Sequence, residues 1–151
     1  MNKWDKRFMD LAEQISTWSS CYKMHVGAVI VKGNRIITTG YNGAPQGVET
    51  CNDRGYCWKE RLGIQKGNSN CFAIHAEQNA ILQAAKMGVS LEGCTLYCTH
   101  KPCNICTKSI INSGITRIVY KNDYIDNFAD YLIDHCNINI KVEQFKEYPD
   151  D

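Results

Sequence analysis

Two short segments constrain the fold of this chain more than any other feature. Residues 75–77 (HAE) and 102–106 (PCNIC) lie about 25 residues apart, and each stands at the start of a predicted amphipathic helix. Cys103 and Cys106 are three residues apart, so they share one face of the first helical turn. If His75 and these two thiols bind one metal ion, both helices must begin side by side at the same end of the fold.

These residue types indicate zinc. Imidazole and thiolate are preferred zinc ligands, and the partial positive charge of a helix N-terminus favours the thiolate form of Cys103 and Cys106. Three protein ligands leave the fourth position for water, which is typical of a catalytic site. Glu77 is then a candidate proton carrier, since a carboxylate beside activated water can take its proton. The alternative interpretation is a capped helix with a buried Cys-x-x-Cys pair.

The hydrophobic periodicity predicts an α/β protein in which strands alternate with helices. Strands joined through helices favour a partly parallel sheet covered by helices on both faces. We expect one domain over 1–151, with a long cysteine-bearing loop at about 43–74 and a frayed tail at about 146–151. The predicted elements are helix 4–18, a hairpin of strands 25–31 and 35–41, helix 75–87, strand 94–100, helix 103–114, strand 115–121, helix 126–136 and strand 138–145.

The bulk composition narrows the classes of function. The net charge is +1, so the chain lacks the strong basic charge of a protein that binds nucleic acid nonspecifically, and nucleic acid is not an expected partner. No apolar run is long enough to cross a bilayer, and the charged first residues lack the apolar centre of a signal peptide. We therefore expect no membrane association and a cytoplasmic location. The nine cysteines then indicate metal binding or burial rather than disulfides, and we expect burial for Cys94, Cys98 and Cys136.

The pattern H-x-E followed by P-C-x-x-C is that of zinc-dependent deaminases. With these motifs the sequence resembles the cytidine deaminase superfamily, and within it the deoxycytidylate (dCMP) deaminases. The resemblance covers nearly the whole chain and implies a three-layer α/β/α fold of the cytidine-deaminase type with a central mixed five-stranded sheet. It depends on the segments VGAVIV, GYNGAPQG, CNDRGYC, IHAEQNAIL, LYCTHKPCNICTKSIINSGI and RIVY.

The resemblance implies hydrolysis of dCMP to dUMP and ammonia, which supplies thymidylate synthesis. It also implies activation by dCTP, inhibition by dTTP, Mg²⁺ bound with the triphosphate effector, and a homo-oligomer, with a hexamer favoured. A tRNA adenosine deaminase shares both motifs, but the net charge of +1 and the GYNG segment disfavour it. A noncatalytic zinc-binding interaction module is the alternative from another class, and Glu77 disfavours it because a structural zinc site does not require that carboxylate.

Carried over by resemblance, His75, Cys103 and Cys106 match the zinc ligands, and Glu77 matches the proton carrier. Asn42 matches a contact to deoxyribose, although Asn-Gly is also a strong turn pair. Other positions match the surroundings of the base, namely Ala76, Thr99, Pro102 and Tyr124. Tyr124 could stack near the substrate, but a place in the hydrophobic core is an equally good interpretation. The same holds for Tyr120. Gln78 departs from the Met or Leu expected in close relatives.

Phosphate recognition is less specific in this sequence. Backbone amides of the flexible GYNG segment can cradle phosphates, which makes the segment a weak candidate for effector binding through Tyr41, Asn42 and Gly43. Three basic residues are candidates for binding the substrate phosphate, namely Arg54, Lys101 and Lys108. For each of them the alternative interpretation is an ordinary charged side chain exposed to solvent.

A second, structural zinc is predicted from the remaining cysteines. By resemblance, Cys21 and Cys51 fall where some relatives place its ligands, and four thiolates would tie the long loop to the first helix. The proposed set is Cys21, Cys51, Cys57 and Cys71, with His25 and His100 as substitutes. The competing interpretation is a group of unrelated thiols on a flexible loop.

Overall fold

A computed structural model describes residues 1–65 and 71–147 of the chain. The parts of the predicted loop at 66–70 and of the predicted tail at 148–151 lie outside the described residues. The helices are α1 (Lys3–Ser16), α2 (Cys51–Arg54), α3 (Trp58–Arg61), α4 (Ala76–Met87), α5 (Asn104–Ser113) and α6 (Asn127–His135). The strands are β1 (Gly27–Lys32), β2 (Arg35–Tyr41), β3 (Thr95–His100), β4 (Arg117–Asn122) and β5 (Lys141–Gln144).

The strands of the described residues form one mixed sheet of five strands in the order β2-β1-β3-β4-β5. β1 runs antiparallel to both of its neighbours, whereas β3, β4 and β5 are parallel. The parallel pairs are the ones joined through α5 and α6, as expected for strands that need a crossover connection. The predicted mixed sheet of five strands is confirmed.

Helices cover both faces of this sheet. On one face α1 packs through Phe8, Met9 and Ile15 against alternate strand residues such as Val29 and Tyr97. On the other face α4, α5 and α6 pack against the side chains that point the opposite way from the same strands, including Ala28, Ile30, Leu96, Cys98 and Ile118. The two-residue alternation of the strands therefore separates two apolar clusters, and the layers are α/β/α.

The sheet topology places three helix N-termini at one edge. β2, β3 and β4 run in the same direction, because β1 is antiparallel to both β2 and β3 and β3 is parallel to β4. The chain leaves these strands at the same edge and returns through α4, α5 and α6. Helices α4 and α5, which carry the two motifs, therefore begin beside each other, as the sequence predicts.

The long loop contains more regular structure than its sequence pattern indicates. Helices α2 and α3 have four residues each, too few for a hydrophobic period to be visible. Thr50 and Asp53 form a capping box at the start of α2, and Gly55 ends it in the left-handed conformation at φ 79°. The backbone amide of Asn52 donates to the Ser20 carbonyl at 3.2 Å, so the loop is held against the chain that follows α1.

Candidate metal centre and surrounding site

His75 is held from both sides at the start of α4. It is the N-cap residue with an extended backbone, and its amide donates to Oε1 of Gln78 at 3.1 Å. Just before it, Ile74 pairs with Gly43 through backbone hydrogen bonds of 2.8 and 3.2 Å. The GYNG segment is thereby fixed next to the imidazole-bearing residue.

Cys103 and Cys106 are positioned by the start of α5. Cys103 is the N-cap residue, and its carbonyl accepts from the Thr107 hydroxyl at 2.8 Å. The backbone amide and the side-chain amide of Asn104 both donate to Asp126, at 2.8 and 3.0 Å. Asp126 is also the N-cap residue of α6, so one carboxylate joins the starts of two neighbouring helices.

The three candidate ligands converge. Nδ1 of His75 lies 3.4 Å from Sγ of Cys103 and 3.3 Å from Sγ of Cys106, and the three donor atoms all lie within 4.8 Å of one another. Donor atoms bound to one tetrahedral zinc through bonds of ~2.0–2.3 Å are ~3.5 Å apart. The residues therefore fit a zinc ion, with one coordination position left open by the protein.

The electrostatics of the cluster favour a cation. A hydrogen bond from Cys106, reinforced by His75, lowers the pKa of Cys103 to about 4. The same hydrogen bond to Cys103 and the burial of Cys106 raise the pKa of Cys106 far above its ordinary value, with the negative charge of Glu77 adding to the effect. The hydrogen bond to Cys103 raises the pKa of His75 despite burial. A divalent ion among these groups would remove the cost of two adjacent thiolates.

Glu77 lies in the first turn of α4 with 5% of its surface exposed. Its Oε1 accepts from Sγ of Cys98 at 2.9 Å, and its Oε2 accepts from Sγ of Cys106 at 3.2 Å. The carboxylate thus stands directly beside a candidate metal ligand without being needed as a ligand itself. This position is compatible with the role of proton carrier, which stays a prediction.

The residues predicted to surround a substrate have structural contacts of their own. The Asn42 side chain accepts from the Val26 amide and donates to the Met24 carbonyl, both at 2.8 Å. The Thr99 hydroxyl accepts from the Gly27 amide at 3.1 Å. Asn42 and Thr99 therefore join β1 to the edge of the sheet at which α4 and α5 begin. Ala76 and Pro102, next to the candidate ligands, are buried.

The remaining predicted contacts are more dispersed. Tyr124 is 42% exposed and precedes Asp126 by two residues, so it lies near the start of α5. Tyr41, proposed for an effector, is 41% exposed and packs edge-on against Trp18. Two of the three phosphate candidates have acidic partners. Arg54 pairs with Glu49 and lies over the Phe72 ring, Lys101 pairs with Asp130 at 2.8 Å, and Lys108 is exposed on α5.

The structure does not gather the second set of cysteines. Among the described residues, only His75, Cys103 and Cys106 form a group of three donor side chains that lie close enough to share a metal ion. Cys51 begins α2 and Cys57 precedes α3, so these thiols sit on separate short helices, and Cys71 is exposed. Lys23 and Glu60 form an exposed ion pair at 2.7 Å between the chain that follows α1 and helix α3. The second zinc stays a prediction. The two substitute histidines make local contacts: His25 to the Cys21 carbonyl and His100 to Thr99.

Two residues at the site were not recognised from the sequence. The sequence predicts burial for Cys98, and burial is confirmed at 0% exposure, but this thiol also contacts the Glu77 carboxylate. Gln78 stands where the resemblance leads us to expect Met or Leu, and its side chain caps the His75 backbone. No local pattern marks Cys98, because its contact depends on which helix covers its face of the sheet. For Gln78 a local signal exists, because Gln at the third position of a helix is typical of a residue that caps the helix start.

The described residues include no helix long and apolar enough to cross a membrane. This finding concerns helices α1 to α6, of which α1, with 14 residues, is the longest. All nine cysteines are free thiols.

Comparison with known proteins connects this geometry to a family. The model of the cytidine and deoxycytidylate deaminase zinc-binding region matches residues 2–122. The deoxycytidylate deaminase of Saccharomyces cerevisiae is 36% identical over 147 residues, covering 97% of this chain and 46% of that protein. The chain thus spans about half the length of that relative.

Two phage proteins match over most of their own length. The deoxycytidylate deaminase of Mycobacterium phage D29 is 39% identical over 127 residues, covering 80% of this chain and 95% of that protein. The crystal structure of dCMP deaminase from the cyanophage S-TIM5, in complex with dCMP and dUMP, superposes with a TM-score of 0.77 at 35% identity. That match covers 96% of this chain and 99% of the cyanophage chain.

Proposed function

The chain belongs to the cytidine and deoxycytidylate deaminase family, and from that membership we propose that it hydrolyses dCMP to dUMP and ammonia. The observation that carries the proposal is the convergence of His75, Cys103 and Cys106, with the buried Glu77 carboxylate beside them. A three-ligand set with an adjacent carboxylate suits hydrolysis better than a structural zinc site, which is closed by four protein ligands.

In this proposal His75, Cys103 and Cys106 hold the zinc ion. When bound, zinc would supply Lewis acidity, which would make a proton of the attacking water easier to remove near neutral pH. Glu77 moves the protons: it takes one from the attacking water and delivers it to ring nitrogen N3 as water adds to C4. The second proton goes to the exocyclic amine, the bond from C4 to that nitrogen breaks, and ammonia leaves as the carbonyl forms.

The choice of dCMP as substrate rests on likeness. The phage and yeast relatives are deoxycytidylate deaminases, and the cyanophage enzyme was crystallised with dCMP and dUMP. Asn42, Ala76, Thr99, Pro102 and Tyr124 are the proposed residues around the nucleoside, and all five lie at or near the edge where α4, α5 and α6 begin.

The test is the loss of ultraviolet absorbance when purified, zinc-loaded protein is incubated with dCMP. Deoxycytidine, cytidine and dCTP serve as parallel substrates, and Glu77→Gln is the matched inactive control. Turnover of dCMP well above that of deoxycytidine supports the proposal. Faster turnover of deoxycytidine than of dCMP would mean that the nucleoside, and not the nucleotide, is the substrate. If no cytosine nucleotide is turned over while zinc is bound, the proposal is wrong, and deamination of adenosine in tRNA becomes the reaction to assay.

We further propose that dCTP activates and dTTP inhibits the enzyme, with Mg²⁺ bound to the triphosphate. We also propose that the chain forms a homo-oligomer, with a hexamer favoured, and that it works in the cytoplasm. The support for regulation and assembly is the sequence resemblance, including the segment around Tyr41, Asn42 and Gly43. The support for the cytoplasm is nine cysteines in the described residues of which none forms a disulfide, as suits a reducing compartment. Initial rates with added dCTP or dTTP, with and without Mg²⁺, test the regulation, and light scattering gives the mass of the assembly.

A further inference from the structure

Cys98 is a buried thiol that reaches the candidate catalytic carboxylate from behind. It lies in β3, and its Sγ is 2.9 Å from Oε1 of Glu77. Both side chains are buried, with exposures of 0% and 5%. The contact joins the central strand of the sheet to the first turn of α4, two residues after His75.

The position of this thiol is fixed by the sheet. β3 is flanked by β1 and β4, and Cys98 is paired with Ala28 on one side and with Tyr120 on the other. A side chain on a doubly paired central strand has little freedom to move, and a group placed on such an element holds its partner accurately.

Cys98 remains a hydrogen-bond donor. A thiol is neutral at physiological pH in ordinary surroundings, and burial together with the negative charge of Glu77 raises the pKa of Cys98 further. Cys106, the other thiol that donates to Glu77, loses its proton when it binds a metal ion, because thiolate is the ligating form. With the metal bound, Cys98 is therefore the thiol that still donates to the carboxylate.

We propose that Cys98 is a positioning residue for the deamination reaction, holding Oε1 of Glu77 so that Oε2 faces the reacting water and substrate. Without this contact the carboxylate would be free to turn about its terminal bond, which would tilt its plane away from the reacting water. The inference rests on the proposed function, since it assigns Glu77 the proton transfers, and it adds a residue that neither motif contains.

The test compares four zinc-loaded proteins: the wild type, Cys98→Val, Cys98→Ser and Cys94→Val. Valine has nearly the volume of cysteine but no donor, whereas serine keeps a donor. Cys94 is the matched control, because it is also 0% exposed and immediately precedes β3 but has no role at the site. Zinc content, melting temperature, kcat and KM for dCMP are measured for each protein.

We expect kcat of Cys98→Val to fall about 10-fold, as is common when the partner of a site residue is removed, with KM and zinc content unchanged. Cys98→Ser should recover most of the loss, and Cys94→Val should keep the wild-type kcat. An undiminished kcat in Cys98→Val overturns the proposal. Equal losses of kcat in Cys98→Val and Cys94→Val also overturn it, because they would mean a general effect on packing.

A spectroscopic measurement does not depend on activity. The infrared difference between wild type and Cys98→Ser isolates the S–H stretch of Cys98 in the zinc-loaded protein. This band should lie at the lower wavenumber of a hydrogen-bonded thiol and move to higher wavenumber in the Glu77→Ala background. A band that is the same in both backgrounds contradicts the contact. An inactive wild type would instead refute the proposed function, so the two failures are distinguishable.

Discussion

At the candidate metal centre the protonation state of each side chain depends on its neighbours, because several ionisable groups lie close together. Glu77 lies within hydrogen-bonding distance of Cys106, which in turn shares the cluster with Cys103 and His75. Two thiolates and a carboxylate repel one another unless a cation lies among them. The effects of single substitutions should therefore separate the residues that hold the ion from the one that moves protons.

Replacing Glu77 by glutamine should abolish proton transfer and leave the fold intact. Glutamine has the shape of glutamate and retains an acceptor for Cys98, but it cannot take a proton from water. We expect kcat for dCMP to fall ~10²–10⁴-fold, the usual contribution of a positioned acid or base. Zinc content and melting temperature should stay at wild-type values, and the exposed Glu147→Gln serves as control. Wild-type turnover in Glu77→Gln would refute its role.

Removing the metal should lower thermal stability through the same cluster. A ligand that binds only the folded protein at 1,000 times its Kd stabilises it by about 4 kcal/mol, which corresponds to a change in melting temperature on the order of 10 °C. We expect a chelator to lower the melting temperature of the wild type and to have no effect on Cys106→Ala. Cys136→Ala, which changes a partly buried cysteine outside the cluster, should respond like the wild type. Equal melting curves of the wild type with and without chelator would contradict the prediction.

The position of α4 depends on its close approach to the sheet. A Cβ atom added to Gly40 in β2 would overlap the carbonyl oxygen of Ala76 and lie 2.6 Å from the amide nitrogen of Ala80. Both atoms belong to the backbone of α4 and cannot rotate away. Because His75 and Glu77 are at the start of this helix, the fit between β2 and α4 also sets the distance from these residues to α5.

Gly40→Ala should therefore damage the site as well as the stability. We expect a loss of about 1–3 kcal/mol from overpacking, together with weaker zinc binding as the first turn of α4 is displaced. Gly27→Ala is the matched control, because its Cβ would overlap the backbone of α1 on the opposite face, at Ala12 and Ser16. Chemical denaturation and competition for zinc with a chromogenic chelator separate the two effects. Equal zinc affinities in the two variants would show that α4 tolerates the change.

Across the whole molecule, an ionic network joins the first helix to the last strand, on the sheet face opposite the one that α4 and α5 cover. Asp5, 1% exposed in α1, accepts from Arg117 and from the Tyr97 hydroxyl, both at 2.7 Å. Arg117 also donates to Glu143 in β5 at 2.7 Å. The network therefore connects α1 with β3, β4 and β5.

The network predicts how stability depends on pH. Burial alone would raise the pKa of Asp5, but hydrogen bonds from Arg117, the Asn2 amide and Tyr97 outweigh it, and the pKa is lowered. Because a lowered pKa favours the folded state once the carboxyl is ionised, this stability is present above the unfolded pKa of ~3.9. It is lost as the pH falls through the lower, folded pKa. We expect urea midpoints to decrease below about pH 4.

Asp5→Asn tests this dependence. The variant should lose about 2 kcal/mol at pH 7, the size of hydrogen bonds to a charged group, and its midpoint should decrease less in acid than that of the wild type. Asp10→Asn is the control on the same helix, because Asp10 makes an exposed ion pair with Lys6, and such pairs contribute little. A wild-type acid response in Asp5→Asn would place the titrating group elsewhere.

Much of this molecule was predictable because its signals are local. The order of the long elements followed from hydrophobic periods of two residues in strands and 3.6 residues in helices. The two motifs indicated the types of the metal ligands and their positions at helix starts. The mixed sheet followed from strands that are joined through helices. The sequence does not predict the short helices α2 and α3, because four residues show no period. Helix α2 has local signs in its caps, Thr50 and Gly55, whereas no side chain caps the start of α3.

The amino-acid sequence by itself determined which residues can bind zinc, where the helices that carry them begin, and to which family the chain is similar. Tertiary structure decided which side chains meet. It directs Cys98 to Glu77, occupies the Asn42 amide with backbone contacts, and joins Asp5 to Arg117 across 112 residues. Within the described ranges it brings no three of the second set of cysteines close enough to share an ion. The physical reason is that propensity and periodicity act over a few neighbouring residues. A contact between distant residues depends on how strands are ordered and how closely each helix packs on the sheet.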